Sequence, residues 1–127
     1  MKEFIKAVAS IAKKNAIKVL KINLDSGKYN VIYLKKGEYK SDSPYLDDWI
    51  DECINKGIIK QDYIGSFKKL LNLENLRETL KTKDYIHLKF ERRFNPNTDK
   101  WKINIITVVP NPKEKEECYL IVYNIDN

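Results

Sequence analysis

Residues 119–127 read Tyr-Leu-Ile-Val-Tyr-Asn-Ile-Asp-Asn, and this stretch decides the fold class. The odd-numbered positions from Tyr119 to Ile125 are apolar or aromatic, and they alternate with Leu120 and Val122. A strand here therefore presents apolar side chains to both faces of a sheet. Because a sheet with one face in water alternates apolar and polar residues more cleanly, we expect a sheet covered on both faces in an α+β protein.

A β-hairpin is predicted near the start of the chain. Lys18–Leu24 and Tyr29–Leu34 both show the two-residue period of strands. Between them, Asp25-Ser26-Gly27 supplies a tight turn, because glycine tolerates positive φ. Residues 17–35 therefore read as two antiparallel strands.

Two more strands precede the final one. Tyr85–Phe94 alternates apolar and polar residues, and after the polar turn at 95–99 the period resumes over Lys100–Val109. With the hairpin and the last strand, these complete a five-stranded antiparallel sheet. One face of the second strand is expected to carry Trp101, Ile103, Ile105, Thr107 and Val109.

The middle third of the chain is helical. Ser43 is a good N-cap and Pro44 suits the first helical position, so a helix is predicted to begin there and to end at Gly57. Two shorter helices are predicted over Ser66–Leu71 and, capped by Asn72, from Leu73 to about Lys83.

An amphipathic helix is predicted at the N-terminus, over residues 1–16. We expect it to cover the second face of the sheet or to form a dimer contact. The whole chain of 127 residues is then one domain, with a core over 17–127. The candidate dimer-contact residues are Phe4, Ile5, Val8 and Ile11.

The net charge of +6 is concentrated in the first 40 residues, which contain ten lysines and three acidic residues. A basic surface can attract nucleic acid. These lysines are spaced singly between apolar residues, however, which is typical of the solvated faces of a helix and two strands. We therefore expect no nucleic-acid partner and keep a small basic nucleic-acid-binding module as an alternative.

The cysteines and the hydropathy favour a cytoplasmic protein. Cys53 and Cys118 lie far apart and form no CxxC motif, which fits a reducing compartment. No segment reaches the ~18 apolar residues of a membrane span, and the lysine-interrupted N-terminus is not a secretory signal.

Aromatic side chains provide the candidate ligand pocket, between the sheet and the helices. The alternative is that they only fill the core. Arg92 shares strand parity with Phe90, so its head could meet a ligand carboxylate, pair with Asp126 or stay solvated. The aromatic candidates are Trp49, Tyr63, Phe67, Phe90, Trp101 and Tyr123.

No catalytic or metal site is predicted, and we do not expect an enzyme. His87 is the single histidine, and its parity places it away from Leu88 and Phe90. Cys53 lies beside apolar residues and is expected to be a small core residue. We therefore expect no cofactor, neither haem nor flavin.

Four stretches carry a family resemblance when taken in order: Leu20–Tyr29, Ile58–Leu76, His87–Arg93 with Lys100–Lys102, and Tyr119–Asp126. Together they resemble the PAS-like sensor domains that precede cyclic di-GMP signalling domains of the GGDEF or EAL type in low-GC bacteria. One departure is at 59–62, where Ile-Lys-Gln-Asp replaces the His-Pro-Glu-Asp of that family and only Asp62 is kept.

The resemblance implies a sensory and dimerisation domain whose helices lie on one face of a PAS-like sheet. The expected partners are a small-molecule ligand, a second copy in a homodimer, and a covalently linked diguanylate cyclase or phosphodiesterase whose signature motifs are absent from this chain. By the same resemblance, Asp126 would couple the sheet to the effector, although it could equally be a surface carboxylate. A small-ligand-binding α+β domain outside this family is a further alternative.

Overall fold

The computed structural model describes residues 15–93, 97, 98 and 100–125. Its strands are β1 (Ala16–Asn23), β2 (Tyr29–Leu34), β3 (Ile86–Arg92), β4 (Lys102–Pro110) and β5 (Glu117–Asn124). Its α-helices are α1 (Leu46–Asn55), α2 (Ile64–Leu71) and α3 (Leu73–Thr82), and a 3₁₀ turn at Gln61–Tyr63 leads into α2.

The five strands form one sheet in the order β2-β1-β5-β4-β3, and every neighbouring pair is antiparallel. The three helices lie between β2 and β3 in the chain. The predicted α+β class and five-stranded antiparallel sheet are confirmed. The first and last strands of the chain, β1 and β5, are neighbours near the middle of the sheet.

The predicted hairpin turn is also confirmed. Gly27 adopts a φ of 77°, and its N–H donates to the Asn23 carbonyl at 2.8 Å. The Asn23 side chain accepts from the N–H groups of Asp25 and Ser26, both at 2.9 Å. The turn is therefore set by local hydrogen bonds and by a glycine in the left-handed region.

The predicted start of α1 is wrong by two residues, because the segment before it pairs with the hairpin. The Tyr29 N–H donates to the Pro44 carbonyl and the Leu46 N–H to the Gly27 carbonyl, both at 2.8 Å. These bonds hold Tyr45 in an extended conformation, so it is the N-cap of α1. The Ser43 hydroxyl accepts from the Tyr45 N–H at 3.2 Å, outside the helix.

The predicted end of α1 and the start of α3 agree with the sequence, whereas α2 begins at Ile64, two residues before the predicted Ser66. Gly57, with a φ of 70°, follows the end of α1, and its N–H donates to the Ile54 carbonyl at 3.0 Å. Asn72 caps α3, since its side chain accepts from the Asn75 N–H at 3.1 Å.

Both faces of the sheet contain buried residues. On one face, Leu20, Ile106 and Leu120 join a continuous core with the helices. The residues that alternate with these in β4 and β5 point to the other face, and there Val109 and Ile121 are buried as well. The predicted N-terminal helix and its contact residues Phe4, Ile5, Val8 and Ile11 lie outside the described residues.

Within the described ranges, no helix combines the length and apolar character needed to cross a membrane.

Candidate functional site

A cavity lies between the helical layer and the sheet. It measures about 330 Å³ including its open mouth, and the centre of a water molecule could occupy about 20 Å³ of that space. Lys18, Glu38 and Arg92 are the charged groups on its wall. Most of the remaining wall is apolar, from Ile17, Ile58, Ile59, Phe67, Phe90 and Val122.

Four of the seven pocket candidates from the sequence line this cavity. Trp49 from α1, Phe67 from α2 and Phe90 from β3 form a tilted aromatic row, with ring centroids 6.0 Å and 5.6 Å apart. Arg92, two residues after Phe90 in β3, is the fourth. The row brings together elements that are far apart in the chain, and so forms one wall of the cavity.

The other three candidates lie elsewhere. Tyr63 packs against the edge of the core and does not line this cavity. Trp101 stacks on the guanidinium of Arg93, 4.9 Å from the ring centroid. Tyr123 points to the opposite face of the sheet, where its hydroxyl lies 3.2 Å from the Thr107 hydroxyl.

Arg92 is buried and paired with Glu38, a partner the sequence did not suggest. The guanidinium Nη2 donates to Glu38 Oε1, and Nη1 lies 3.5 Å from Oε2. The alternative of a solvated Arg92 is therefore wrong, and Asp126 lies outside the part of the chain that the structure describes. Burial raises the pKa of the Glu38 carboxyl, although Arg92 acts in the opposite direction.

A chain of side-chain hydrogen bonds, buried at Arg92 and Asn104 and partly buried at Asn124, continues from this ion pair to the end of β5. Arg92 Nη1 also donates to Asn104 Oδ1 at 3.3 Å. Asn104 is fully buried in β4, and its Nδ2 donates to Asn124 Oδ1 at 2.6 Å. We call Glu38, Arg92, Asn104 and Asn124 the polar relay. It links the wall of the cavity to the last residue of β5.

Lys18 is the second buried cation at the cavity. Its side chain was expected to be solvated, yet the residue is only 7% exposed. Its Nζ donates to the Tyr39 carbonyl at 3.3 Å and lies 4.5 Å from the centroid of the Trp49 ring. Burial is the main reason that the pKa of the Lys18 ammonium falls to about 8.

A bulge brings Ile17 to the cavity beside Lys18. The pairing of β1 with β5 shifts register between Ala16 and Lys18, so the two-residue alternation breaks there. As a result, the consecutive residues Ile17 and Lys18 both line the cavity. Strand periodicity places Lys18 on the core face with Leu20 and Ile22, so the pattern contained a signal for its burial, whereas the position of Ile17 depends on the bulge.

Hydrogen bonds hold the segment after β2 against α1. The Tyr39 hydroxyl donates to one carboxylate oxygen of Glu52, and the Ser41 hydroxyl donates to the other at 2.8 Å. This double anchor fixes the loop that carries Glu38 and the Tyr39 carbonyl. The loop thereby supplies the carboxylate that pairs with Arg92 and the carbonyl that accepts from Lys18.

Trp49 carries an unsatisfied donor. The residue is 4% exposed, and its indole Nε1–H has no hydrogen-bond partner among the described residues. Buried polar groups in folded proteins are nearly always paired, with protein, ordered water or ligand. This donor is therefore a feature of the site that requires a partner.

The described residues contain no group of three side chains suited to hold a metal ion. His87 is exposed and stacks on Tyr85, with ring centroids 5.7 Å apart. Cys53 is a buried free thiol on the cavity wall, and burial raises its pKa to about 11. At neutral pH it is a neutral wall group.

No protein-family model matches the sequence, and the comparison with curated proteins gives no match. The candidate site therefore rests on its own geometry. It is a small, largely apolar cavity with two buried cations, one buried carboxylate and one unpartnered N–H donor.

Proposed function

We propose that this chain is a sensory domain, in which a small molecule bound in the cavity changes the hydrogen bonding at the end of β5. The observation that carries the proposal is the polar relay from Glu38 on the cavity wall to Asn124 at the end of β5. An unpaired buried polar group is costly, so a displacement of one member of such a network is expected to move its hydrogen-bond partner as well. The polar relay therefore suits the transmission of a binding event.

The mechanism is a shift between two populated arrangements. A ligand that contacts the cavity wall favours one arrangement of the Glu38–Arg92 pair. Arg92 shares its Nη1 with Asn104, so a change at the pair alters the contact between Asn104 and Asn124. The ligand shifts the equilibrium by as much as its affinity differs between the two arrangements.

The resemblance to PAS-like sensor domains extends this proposal to an output. The element order of two strands, helices and three strands is compatible with it. On that basis the signal passes from β5 to a linked diguanylate cyclase or phosphodiesterase, and the domain acts as a homodimer. The catalytic chemistry then belongs to the effector.

Native mass spectrometry of the protein purified from a cell extract tests the proposal. We expect a small molecule that remains bound in the gas phase and is released on denaturation. Cys53→Leu is the matched control, because the larger side chain fills part of the cavity from its wall. The control should lose the bound mass and keep its fold, whereas equal retention by both proteins would place the ligand elsewhere.

A further inference from the structure

We propose that the cavity binds a small monocarboxylate of acetate size, held by the Lys18 ammonium and the Trp49 indole N–H. This inference rests on the proposed function, since it names the class of ligand that the sensory site takes. Three independent features of the cavity support it: its charge, its free donors and its shape.

The charge of the cavity calls for one anion. Lys18, Arg92 and Glu38 are each less than 9% exposed, and together they carry two positive charges and one negative charge. Arg92 is matched by Glu38, so Lys18 is the charge without a carboxylate partner. A buried charge is stabilised by pairing, and a monoanion beside Lys18 would balance its positive charge.

The free donors lie close together. Lys18 Nζ has one hydrogen-bond acceptor among the described residues, the Tyr39 carbonyl, and so keeps donors for a ligand. Trp49 Nε1–H has none, and it belongs to the same indole ring over which Nζ lies at 4.5 Å. A carboxylate offers two oxygens, one for each of these donors.

The shape of the cavity favours an organic acid over an inorganic ion. Beyond the donors, the wall is formed by Ile17, Phe67, Phe90 and Val122. These apolar side chains suit an alkyl group, and they offer no hydrogen-bond donor to the further oxygens of an inorganic anion. The space open to the centre of a water molecule is only about 20 Å³, so the enclosed part of the cavity favours a short acid such as acetate over a longer one such as butyrate.

The indole N–H resonance of Trp49 provides a direct test. The chain contains two tryptophans, so a ¹H–¹⁵N spectrum has two indole peaks, and Trp101→Phe assigns them. Sodium acetate replaces sodium chloride at constant ionic strength and pH. We expect a saturable downfield shift of the Trp49 peak, because its proton gains a charged acceptor. Butyrate should give a weaker effect.

Two variants check the contacts. Lys18→Met should weaken acetate binding by about 10- to 100-fold, the range for losing a hydrogen bond to a charged group. Lys21→Met is the matched control, because Lys21 lies on the same strand, partly exposed and 3.8 Å from Glu117, outside the cavity. Trp49→Phe keeps an aromatic ring without the donor and should also weaken binding, measured on the backbone resonances of the wall.

The proposal is overturned if replacing chloride by acetate leaves the Trp49 peak unmoved, or if both lysine variants bind acetate equally. Its failure is distinct from a failure of the sensory function. A neutral molecule retained from a cell extract would support the sensory function and contradict the carboxylate. Acetate binding at Lys18 without any change in hydrogen exchange of β5 would support the carboxylate and contradict the sensory function.

Discussion

Lys18 is a residue whose buried charge lowers the stability of the fold. Its pKa is about 8 in the folded protein and 10.5 in a free side chain, so the unfolded chain holds the proton more tightly between those values. Stability therefore rises with pH from about 8 to 10.5 through this group. Burial dominates, while Arg92 adds to the effect and Cys53 and Glu38 oppose it. Below pH 8 the buried charge is fully destabilising.

Lys18→Met should therefore stabilise the protein at pH 7, by about 1–3 kcal/mol in free energy of unfolding. The gain should shrink as the pH rises from 8 to 10.5, because the wild-type Lys18 ammonium loses its proton near pH 8 in the folded protein and near pH 10.5 in the unfolded chain. Urea titrations at pH 7, 9 and 10.5 measure it, with Lys21→Met as a control within about 0.5 kcal/mol of wild type. A Lys18→Met protein that is less stable at pH 7 would contradict this account.

Substitution of Glu38, which is paired with Arg92, is expected to lower stability, in contrast to Lys18→Met. Glu38→Met leaves the Arg92 guanidinium buried without its carboxylate, and we expect a loss of about 3–5 kcal/mol. The double variant with Arg92→Met removes both charges and should recover most of the loss. A double-mutant cycle by urea unfolding gives the coupling free energy. Additive losses would show that the two side chains do not interact.

At the scale of elements, the hairpin turn depends on a single glycine. Gly27 has a φ of 77°, and a Cβ built there would lie 3.2 Å from the Leu73 side chain in α3. Gly27→Ala should therefore destabilise the protein by about 1–3 kcal/mol. Gly65→Ala is the contrast, because Gly65 lies in α2 with no atom within 4 Å of the new Cβ, and it should stabilise by about 0.5–1 kcal/mol. Thermal unfolding of both variants measures whether each substitution raises or lowers the stability. Destabilisation by Gly65→Ala would contradict the predicted contrast.

The sequence predicts elements well where their causes are local. Strand periodicity, the turn at 25–27 and the cap at Asn72 each depend on residues within a few positions, and the structure confirms them. The start of α1 depends on pairing with the distant hairpin, which a local capping rule does not include. Element type is therefore more predictable than element boundary.

The candidate site is only partly predictable for the same reason. Parity places Arg92 with Phe90, and both line the cavity. Glu38 and Arg92 are 54 positions apart in the sequence. The loop that carries Glu38 has no periodic pattern from which its position could be predicted. Lys18 shares strand parity with the buried Leu20, so its position on the cavity wall follows the local pattern. Among the three charged groups of the site, it is therefore Glu38 whose place comes from tertiary pairing beyond any local pattern.

At the scale of the whole molecule, the strand order explains how the site and its output can be joined. β1 and β5 are neighbours, so Lys18 and Val122 are paired residues that both line the cavity. β5 then runs to Asn124, where the polar relay ends. On the other face of the sheet, Val109 of β4 and Ile121 of β5 are buried as well. β5 therefore contributes buried residues to both faces of the sheet.

The central claim is that occupancy of the cavity is transmitted to the end of β5. Hydrogen exchange over residues 117–125 tests it most directly, on protein purified with its ligand and on the same protein after the ligand is removed. We predict slower exchange at the end of β5 in the loaded protein, and a much smaller difference in Asn104→Leu, which interrupts the polar relay at its middle. Identical exchange in the loaded and ligand-free proteins would contradict the account.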